Sequence, residues 1–358
     1  MELDRITPLF ATEGKPAQCR AFGSGHINET YAVRTSTGHK YILQKINRYV
    51  FPDPEAVMEN VIAVTRFLAE KDPDPRHVLH FIPTHSGSYF HVDEAGDYWR
   101  MYAFLEGFCL DQCESAEDLY QSALAFGRFQ QLLSDFPAHT LHETIPHFHD
   151  TPQRFCQLRR SMQENKVGRM ADAGDTAQRL LQHEALASKL QQLLDAGELP
   201  LRVTHNDTKL NNVLLDSVTR EGICVLDLDT VMPGSSLYDF GDAVRFGAAT
   251  AAEDTQDPDT MEMDLALFRA YAKGFLETAV TLTEKEIEML PLSPIVMTLE
   301  LAARFLKDYL DGDLYFKTAY SQHNLVRARA QLKLAEDMIA KLPIMEQIVA
   351  QEQAKINI

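Results

Sequence analysis

The stretch "VTHNDTKLNNVLLD" at residues 203–216 concentrates side chains that could act in phosphoryl transfer. It contains the pattern H-x-D-x-x-x-x-N, in which Asp207 and Asn212 lie five residues apart. A carboxylate can accept the proton of an attacking hydroxyl, and an amide oxygen can bind Mg²⁺ without adding negative charge. Lys209 adds a cation that could compensate the charge of the transferred group. The spacing therefore predicts phosphoryl transfer, with His205 as a support of the loop.

Such chemistry needs a further anionic ligand for the metal ion, at the end of a nearby strand. The segment "CVLDLD" supplies it as Asp227, and Asp229 follows two residues later. Residues two apart in an extended backbone face the same side, so Asp229 could reach the same ion. The sequence thus predicts Asn212, Asp227 and Asp229 as metal ligands.

A glycine-containing segment, "FGSGHINETY" at residues 22–31, is a candidate for phosphate binding. Gly23 and Gly25 would allow backbone amides to approach phosphates, with Asn28 and Tyr31 ordering the turn. The segment is not a Walker A loop, because it lacks the GK[ST] sequence.

The segment "HETIPHFHD" at residues 142–150 contains three histidines and two acidic residues. It does not match HExxH, because the second histidine is one residue too late and Pro146 breaks the helix that this motif requires. We expect a loop near the substrate pocket and not a metal site.

These groups need a scaffold, and its pattern changes after the first hundred residues. That first part consists of strand-like runs with one helix predicted at 53–71, which favours a small α+β domain. The rest is mainly helical, with strand-like "LRVTH" and "GICVLDLD" between helices. The later helices are predicted at about 115–136, 174–197, 264–282, 295–310 and 325–341.

Composition restricts the partners of this 358-residue chain. A formal net charge of −18 disfavours nucleic acid, but it allows ATP that arrives with Mg²⁺. The five cysteines are scattered without a CxxC pair, and no apolar run approaches a membrane span. The amino terminus lacks a signal-peptide core, so we expect a cytoplasmic protein that binds small molecules. We expect a monomer or a weak homodimer.

The catalytic and metal-binding segments resemble those of the aminoglycoside phosphotransferase and choline kinase superfamily. The resemblance implies a protein-kinase-like fold with a β-rich nucleotide-binding lobe at 1–106 and a helical lobe at 107–358. The hinge, near 103–107, would bind adenine through its backbone from Phe104 to Glu106. ATP and Mg²⁺ are the implied cofactors. By the same resemblance, Asp207 is the catalytic base. Asn212 and Asp227 are the Mg²⁺ ligands, and Asp239 is a structural acid.

Longer segments resemble a subgroup, the N-acetylhexosamine 1-kinases. They are "GSGHINETY", "RYVFPDPEAVMENV", "HFHDTPQRF", "RVTHNDTKLNNVLLD", "LDTVMPGSSLYDFGDAVRFG", "RFLKDYLDGDLYF" and "HNLVRARAQLKL". This similarity implies transfer from ATP to the anomeric 1-OH of N-acetylglucosamine or N-acetylgalactosamine. The sugar contacts that it implies are His26, Phe246, Arg304 and Tyr315.

The sequence departs from the superfamily on the third strand, where a lysine or arginine is usual. "YILQKI" has Gln44 there, and Lys45 faces the opposite side. Gln44 could hydrogen-bond a phosphate but brings no charge. We therefore assign Glu59 no ion-pair role, and Lys209 and Mg²⁺ are expected to carry more of the charge compensation.

Two other functions remain open from the sequence. The first is a kinase of another small alcohol, such as choline, homoserine, methylthioribose or an aminoglycoside. The second is a nucleotide-binding pseudokinase without activity, although Asp207, Asn212 and Asp227 are all present.

Overall fold

The computed structural model describes residues 3–23 and 27–356 and divides the chain into two compact units. Unit 1 comprises Met1–Phe108, Asp135–Pro146 and Leu214–Pro233. Unit 2 comprises Cys109–Ser134, His147–Val213 and Gly234–Ile358. Unit 1 thus takes in two later segments that a single division at residue 106 leaves in the second lobe.

Unit 1 is built on a five-stranded antiparallel sheet in the order β1-β2-β3-β5-β4. Its strands are β1 (Pro16–Ala21), β2 (Glu29–Thr35), β3 (Lys40–Lys45), β4 (His91–Val92) and β5 (Tyr98–Ala103). Alternate side chains of these strands enter a buried cluster that includes Val33, Leu43 and Met101. The residues between them, among them Gln44 and Arg100, therefore lie on the other face of the sheet.

One long helix accompanies this sheet, beside a short N-terminal helix, α1 (Leu3–Ile6). Helix α2 (Pro54–Lys71) begins as predicted, because the Asp53 carboxylate accepts a hydrogen bond from the Ala56 amide and proline occupies the first turn. Its buried side chains include Val57, Val61 and Val64. Their spacing is that of one helix face.

Unit 2 is mainly helical. Its helices are α3 (Ala116–Leu132), α4 (Thr151–Glu164), α5 (Met170–Gln182), α6 (Glu184–Ala187), α7 (Lys189–Asp195), α8 (Ser236–Gly247), α9 (Leu265–Thr278), α10 (Glu284–Met289), α11 (Ser293–Asp311) and α12 (His323–Ile356). Ser115, where the helix predicted at about 115–136 starts, caps α3 by accepting a hydrogen bond from the Asp118 amide. Short strands lie outside the large sheet: β6 (Arg202–Thr204), β7 (Val213–Leu215), β8 (Gly222–Val225) and β9 (Met232–Gly234).

The predicted α+β class is confirmed, but some predicted elements are wrong in extent. The single helix expected at 174–197 is three consecutive helices, which are interrupted at His183 and at Ser188. At the second interruption, the Ser188 hydroxyl donates a hydrogen bond to the Glu184 carbonyl, and such a local side-chain bond weakens and bends a helix. Helix α12 continues well beyond residue 341. In the described part of the chain, no helix is long and apolar enough to cross a membrane.

Candidate active site

The loop that follows β6 in unit 2 brings the predicted catalytic residues into contact. The ammonium of Lys209 lies 2.8 Å from Asp207 Oδ1. The side-chain amide nitrogen of Asn212 donates to the Asp207 carbonyl oxygen at 2.7 Å and to its Oδ2 at 3.2 Å. Asp207 remains about one-quarter exposed, with 24% of its side chain accessible to solvent. Both oxygens of this carboxylate are therefore oriented while it stays within reach of a substrate.

Asp239, the structural acid that the resemblance implies, fixes the backbone of this loop. Its fully buried carboxylate accepts hydrogen bonds from the backbone amides of His205 at 2.9 Å and Asn206 at 2.8 Å, and from the Gln130 side chain at 2.7 Å. Asn206 has a φ of 65°, a left-handed conformation that non-glycine residues seldom adopt. Burial raises the pKa of Asp239, and these donors act against that effect.

A second buried carboxylate, Asp242, connects the loop to helix α8. It accepts a hydrogen bond from the Thr208 amide at 3.2 Å and from Arg245 at 2.8 Å. Burial lowers the pKa of the Lys209 ammonium, but Asp207 and then Asp242 outweigh burial, so that pKa is raised. Lys209 is therefore a cation at neutral pH.

Asn212 is suited to bind a hard cation. Because its amide nitrogen donates to Asp207, its side-chain oxygen is the atom left to ligate an ion, and magnesium prefers such oxygen ligands. Among residues 3–23 and 27–356, no group of three or more His, Cys, Asp or Glu side chains forms a metal site. Such groups contain no asparagine, so an ion bound through Asn212 would not belong to one of them.

In unit 1, the two predicted acidic ligands differ in their surroundings. Asp227 is exposed and has a φ of 53°, a strained conformation that is often found at functional sites. Asp229 is buried, and both of its oxygens accept hydrogen bonds, one from Arg100 and the other from the Asn28 side chain at 2.7 Å. Asp227 is thus the more accessible of the two, and its ligand role stays a prediction.

The other predicted nucleotide contacts also belong to unit 1. Gly23 has a φ of 78°, which glycine adopts readily, whereas Gly25 and His26 lie outside the described residues. A cavity of about 340 Å³ is lined in part by Phe104 and Glu106 of the predicted hinge. The backbone amide of Phe104 already donates to the Lys40 carbonyl at 3.1 Å. Adenine binding by this segment stays a prediction.

The predicted sugar contacts are partly brought together in unit 2. The guanidinium of Arg304 lies over the rings of Tyr315, Phe148 and Phe316, at 5.9, 5.3 and 5.6 Å from their centroids. Tyr315 is exposed, whereas Arg304 keeps only 16% of its side chain accessible. Phe246 is half-buried in α8.

Sequence comparison gives the family of the chain. Residues 18–280 match the phosphotransferase enzyme family, APH. The chain belongs to this family.

Solved structures share its fold at low sequence identity. A microcompartment-associated aminopropanol kinase is 18% identical, with a TM-score of 0.67 and coverage of 95% of this chain and 98% of that one. An aminoglycoside phosphotransferase from Alicyclobacillus acidocaldarius is 15% identical, with a TM-score of 0.64 and coverage of 94% and 93%. Amicoumacin kinase, solved with AMP-PNP and Ca²⁺, is 14% identical, with a TM-score of 0.63 and coverage of 93% and 92%. The predicted protein-kinase-like fold is thereby confirmed.

The structure also shows buried polar contacts that sequence reasoning missed, beside the predicted sugar contact Arg304. His149, in the segment at 142–150, places its Nδ1 at 3.0 Å from Glu300, and Thr151 donates to the same carboxylate at 2.8 Å. Glu300 is buried in α11, and burial raises the pKa of its carboxyl, but His149 outweighs burial and the pKa is lowered. A single acid within the apolar run "IVMTLELAARFL" was the available signal, because buried acids are rarely left without partners.

The buried Arg100 was missed too, although the sequence offered a similar signal. It is the one charged residue in the apolar strand segment "YWRMYAFL", where a charge indicates a paired site. Asp242 and Arg245 were missed too, although an Asp and an Arg three residues apart on a helix are close enough to pair.

Proposed function

We propose that this member of the phosphotransferase enzyme family transfers the γ-phosphoryl group of ATP to the anomeric hydroxyl of an N-acetylhexosamine. The narrower resemblance of its segments names the acceptor class. The observation that carries the proposal is the position of Arg304, which covers three aromatic rings on the unit that holds the catalytic loop.

That position disfavours the amine acceptors of other kinases with this fold. Quaternary and primary ammonium groups are bound by aromatic faces. Here the faces of Phe148, Tyr315 and Phe316 already hold a cation of the chain itself. An ammonium ligand would have to displace Arg304 or accept its repulsion. A neutral sugar can instead accept hydrogen bonds from the guanidinium through its hydroxyl and carbonyl oxygens.

Asp207 is the proposed acceptor of the hydroxyl proton. An anomeric hydroxyl is more acidic than an ordinary alcohol, so a carboxylate is a sufficient base. Lys209, held 2.8 Å from Asp207, would orient the carboxylate and compensate negative charge on the transferred group. Asn212 through its amide oxygen and Asp227 through its carboxylate are the proposed ligands of Mg²⁺, with Asp229 as a further candidate. The bound ion would neutralise charge on the ATP phosphates.

The test is an acceptor panel with the purified protein, ATP and MgCl₂, read by release of ADP. The panel contains N-acetylglucosamine, N-acetylgalactosamine, glucose, choline, ethanolamine, homoserine, methylthioribose and kanamycin. We expect turnover with the N-acetylhexosamines and little with the amine-bearing alcohols, which are choline, ethanolamine, homoserine and kanamycin. Turnover with an amine alone would refute the proposed acceptor, and no turnover with any acceptor would favour the pseudokinase.

An Arg304→Met variant tests the observation that carries the proposal. This substitution keeps an unbranched apolar stem, removes the guanidinium and opens the aromatic faces to a ligand cation. We expect a lower kcat/KM for the N-acetylhexosamine, because the sugar loses hydrogen bonds to a charged group worth about 10-fold or more. If kcat/KM is unchanged, Arg304 does not contact the acceptor.

A further inference from the structure

The sheet of unit 1 carries a buried cation on β5. It lies opposite the position on β3 where the superfamily usually has a lysine or arginine and this chain has Gln44. Gln44 of β3 is directly opposite Arg100 of β5 in the antiparallel register. Side chains of directly opposed residues project from the same face of a sheet. Only 2% of Arg100 is exposed. The positive charge that is absent at position 44 is therefore present one strand away, on the same face.

Gln44 holds this guanidinium in place. Its side-chain oxygen accepts hydrogen bonds from Arg100 Nε at 3.0 Å and Nη2 at 2.8 Å. Its side-chain nitrogen donates to the Thr30 hydroxyl on β2 at 3.1 Å. Both the oxygen and the nitrogen of the Gln44 side chain are therefore engaged, and Gln44 orients Arg100. The sequence had suggested that Gln44 contacts a phosphate directly.

The remaining guanidinium nitrogen connects the sheet to the end of the glycine segment. Arg100 Nη1 donates to Asp229 Oδ1, and Asn28 Nδ2 donates to Asp229 Oδ2 at 2.7 Å. The Asn28 side-chain oxygen in turn accepts a hydrogen bond from the Asn47 amide at 3.0 Å. One continuous chain of hydrogen bonds thus runs from the sheet through Asp229 to Asn28.

The residues that would form the usual lysine–glutamate pair are engaged elsewhere. Lys45 faces the other side of β3 and pairs with Glu29 at 2.8 Å. Glu59 of α2 lies 2.6 Å from His142. The α2 side chain next to the Arg100 guanidinium is Met58, whose sulfur is 3.8 Å away.

We propose that Arg100 replaces the strand lysine of this family as a positioning residue, acting through Asp229 and Asn28 to fix the end of the glycine segment for nucleotide binding. Arg100 needs no contact with phosphate in this arrangement. It holds Asp229, and Asp229 holds Asn28 at the place where the chain returns from the glycine segment into β2. The inference rests on the use of a nucleotide by the proposed function and does not depend on the acceptor.

The experiment measures the Kd of MgADP by calorimetry for folded variants. Arg100→Gln removes the cation and should weaken MgADP binding by about 10-fold or more, because hydrogen bonds to charged groups are lost along the chain. The exchange variant Gln44→Lys/Arg100→Gln returns a cation to the same sheet face and should recover most of the lost affinity. Arg34→Gln removes one exposed cation from the same sheet and should leave the Kd unchanged.

Since Arg100→Gln leaves Asp229 buried without its cation, that variant could fail to fold. Asn28→Ala cuts the same chain of hydrogen bonds without unpairing a charge, and thermal unfolding will show whether it folds. It should also weaken MgADP binding. Normal affinity in folded Asn28→Ala or Arg100→Gln, or no recovery in the exchange variant, would overturn the inference.

These measurements separate the inference from the proposed function. Wild-type protein that binds MgADP but phosphorylates no N-acetylhexosamine would refute the acceptor and leave the Arg100 assignment to be decided by the variants. Wild-type protein that does not bind MgADP would overturn the Arg100 assignment by itself.

Discussion

Replacement of Asp207 by asparagine tests the assignment of the base. The carboxylate receives Lys209 on one oxygen and Asn212 on the other, and both partners are donors. An asparagine side chain must turn its NH₂ group toward one of them, so it loses one hydrogen bond in either orientation. It also cannot accept the proton of the substrate hydroxyl. General base catalysis contributes about 10²–10⁴-fold in rate, so kcat should fall by that factor, equivalent to about 3–5 kcal/mol.

Steady-state kinetics give kcat, calorimetry gives the Kd of MgADP, and thermal unfolding reports folding of the Asp207→Asn variant. We expect little change in the Kd, since the proposed role of Asp207 concerns the acceptor. Asp216→Asn is a matched control, because Asp216 ends the same sequence segment but caps a turn through the amides of Val218 and Thr219. The control should lose some stability and keep its kcat. A folded Asp207→Asn variant with kcat within tenfold of wild type would refute the base assignment.

Three further predictions concern charge, packing and pH. Lys209→Met should lower kcat by about 10–100-fold with a smaller change in the sugar KM, because a charge-assisted contact in the loop is lost. An effect on the sugar KM alone would contradict the role of Lys209 in charge compensation. Gly241→Ala should lower the free energy of unfolding by about 1–3 kcal/mol in urea titrations, because the new Cβ would lie 2.6 Å from a backbone oxygen of α11. Gly174→Ala, where no atom lies within 4 Å of the new Cβ, should be neutral or stabilising by up to about 1 kcal/mol. Burial raises the pKa of Glu286, but its ion pair with Arg202 outweighs burial and the pKa is lowered. The stabilisation is therefore complete at neutral pH and is lost as pH falls below about 4.3, so Glu286→Gln should be most destabilising near neutrality and converge with wild type in acid.

The local part of the site could be predicted from the sequence. Asp207, Lys209 and Asn212 lie within six residues, so the spacing of their side chains follows from one loop. The helix starts at Ser115 and Asp53 were also predictable, since capping is decided by a few neighbouring residues.

The contacts between distant segments could not be predicted in this way. Gln44 meets Arg100 only because β3 pairs with β5, and that register is set by the whole sheet. His149 meets Glu300 across about 150 residues of sequence, since the packing of α11 decides their approach. The role of Gln44 was therefore inferred from its residue type alone, and the structure gives it a different partner.

The central claim is that the acceptor atom is the anomeric oxygen of an N-acetylhexosamine. Phosphorus NMR of the product formed from N-acetylglucosamine or N-acetylgalactosamine, with correlation to the sugar protons, tests it most directly. The account predicts a phosphorus signal coupled to H-1. A phosphorus signal coupled to any other sugar proton, or transfer only to choline, ethanolamine or an aminoglycoside, would contradict it.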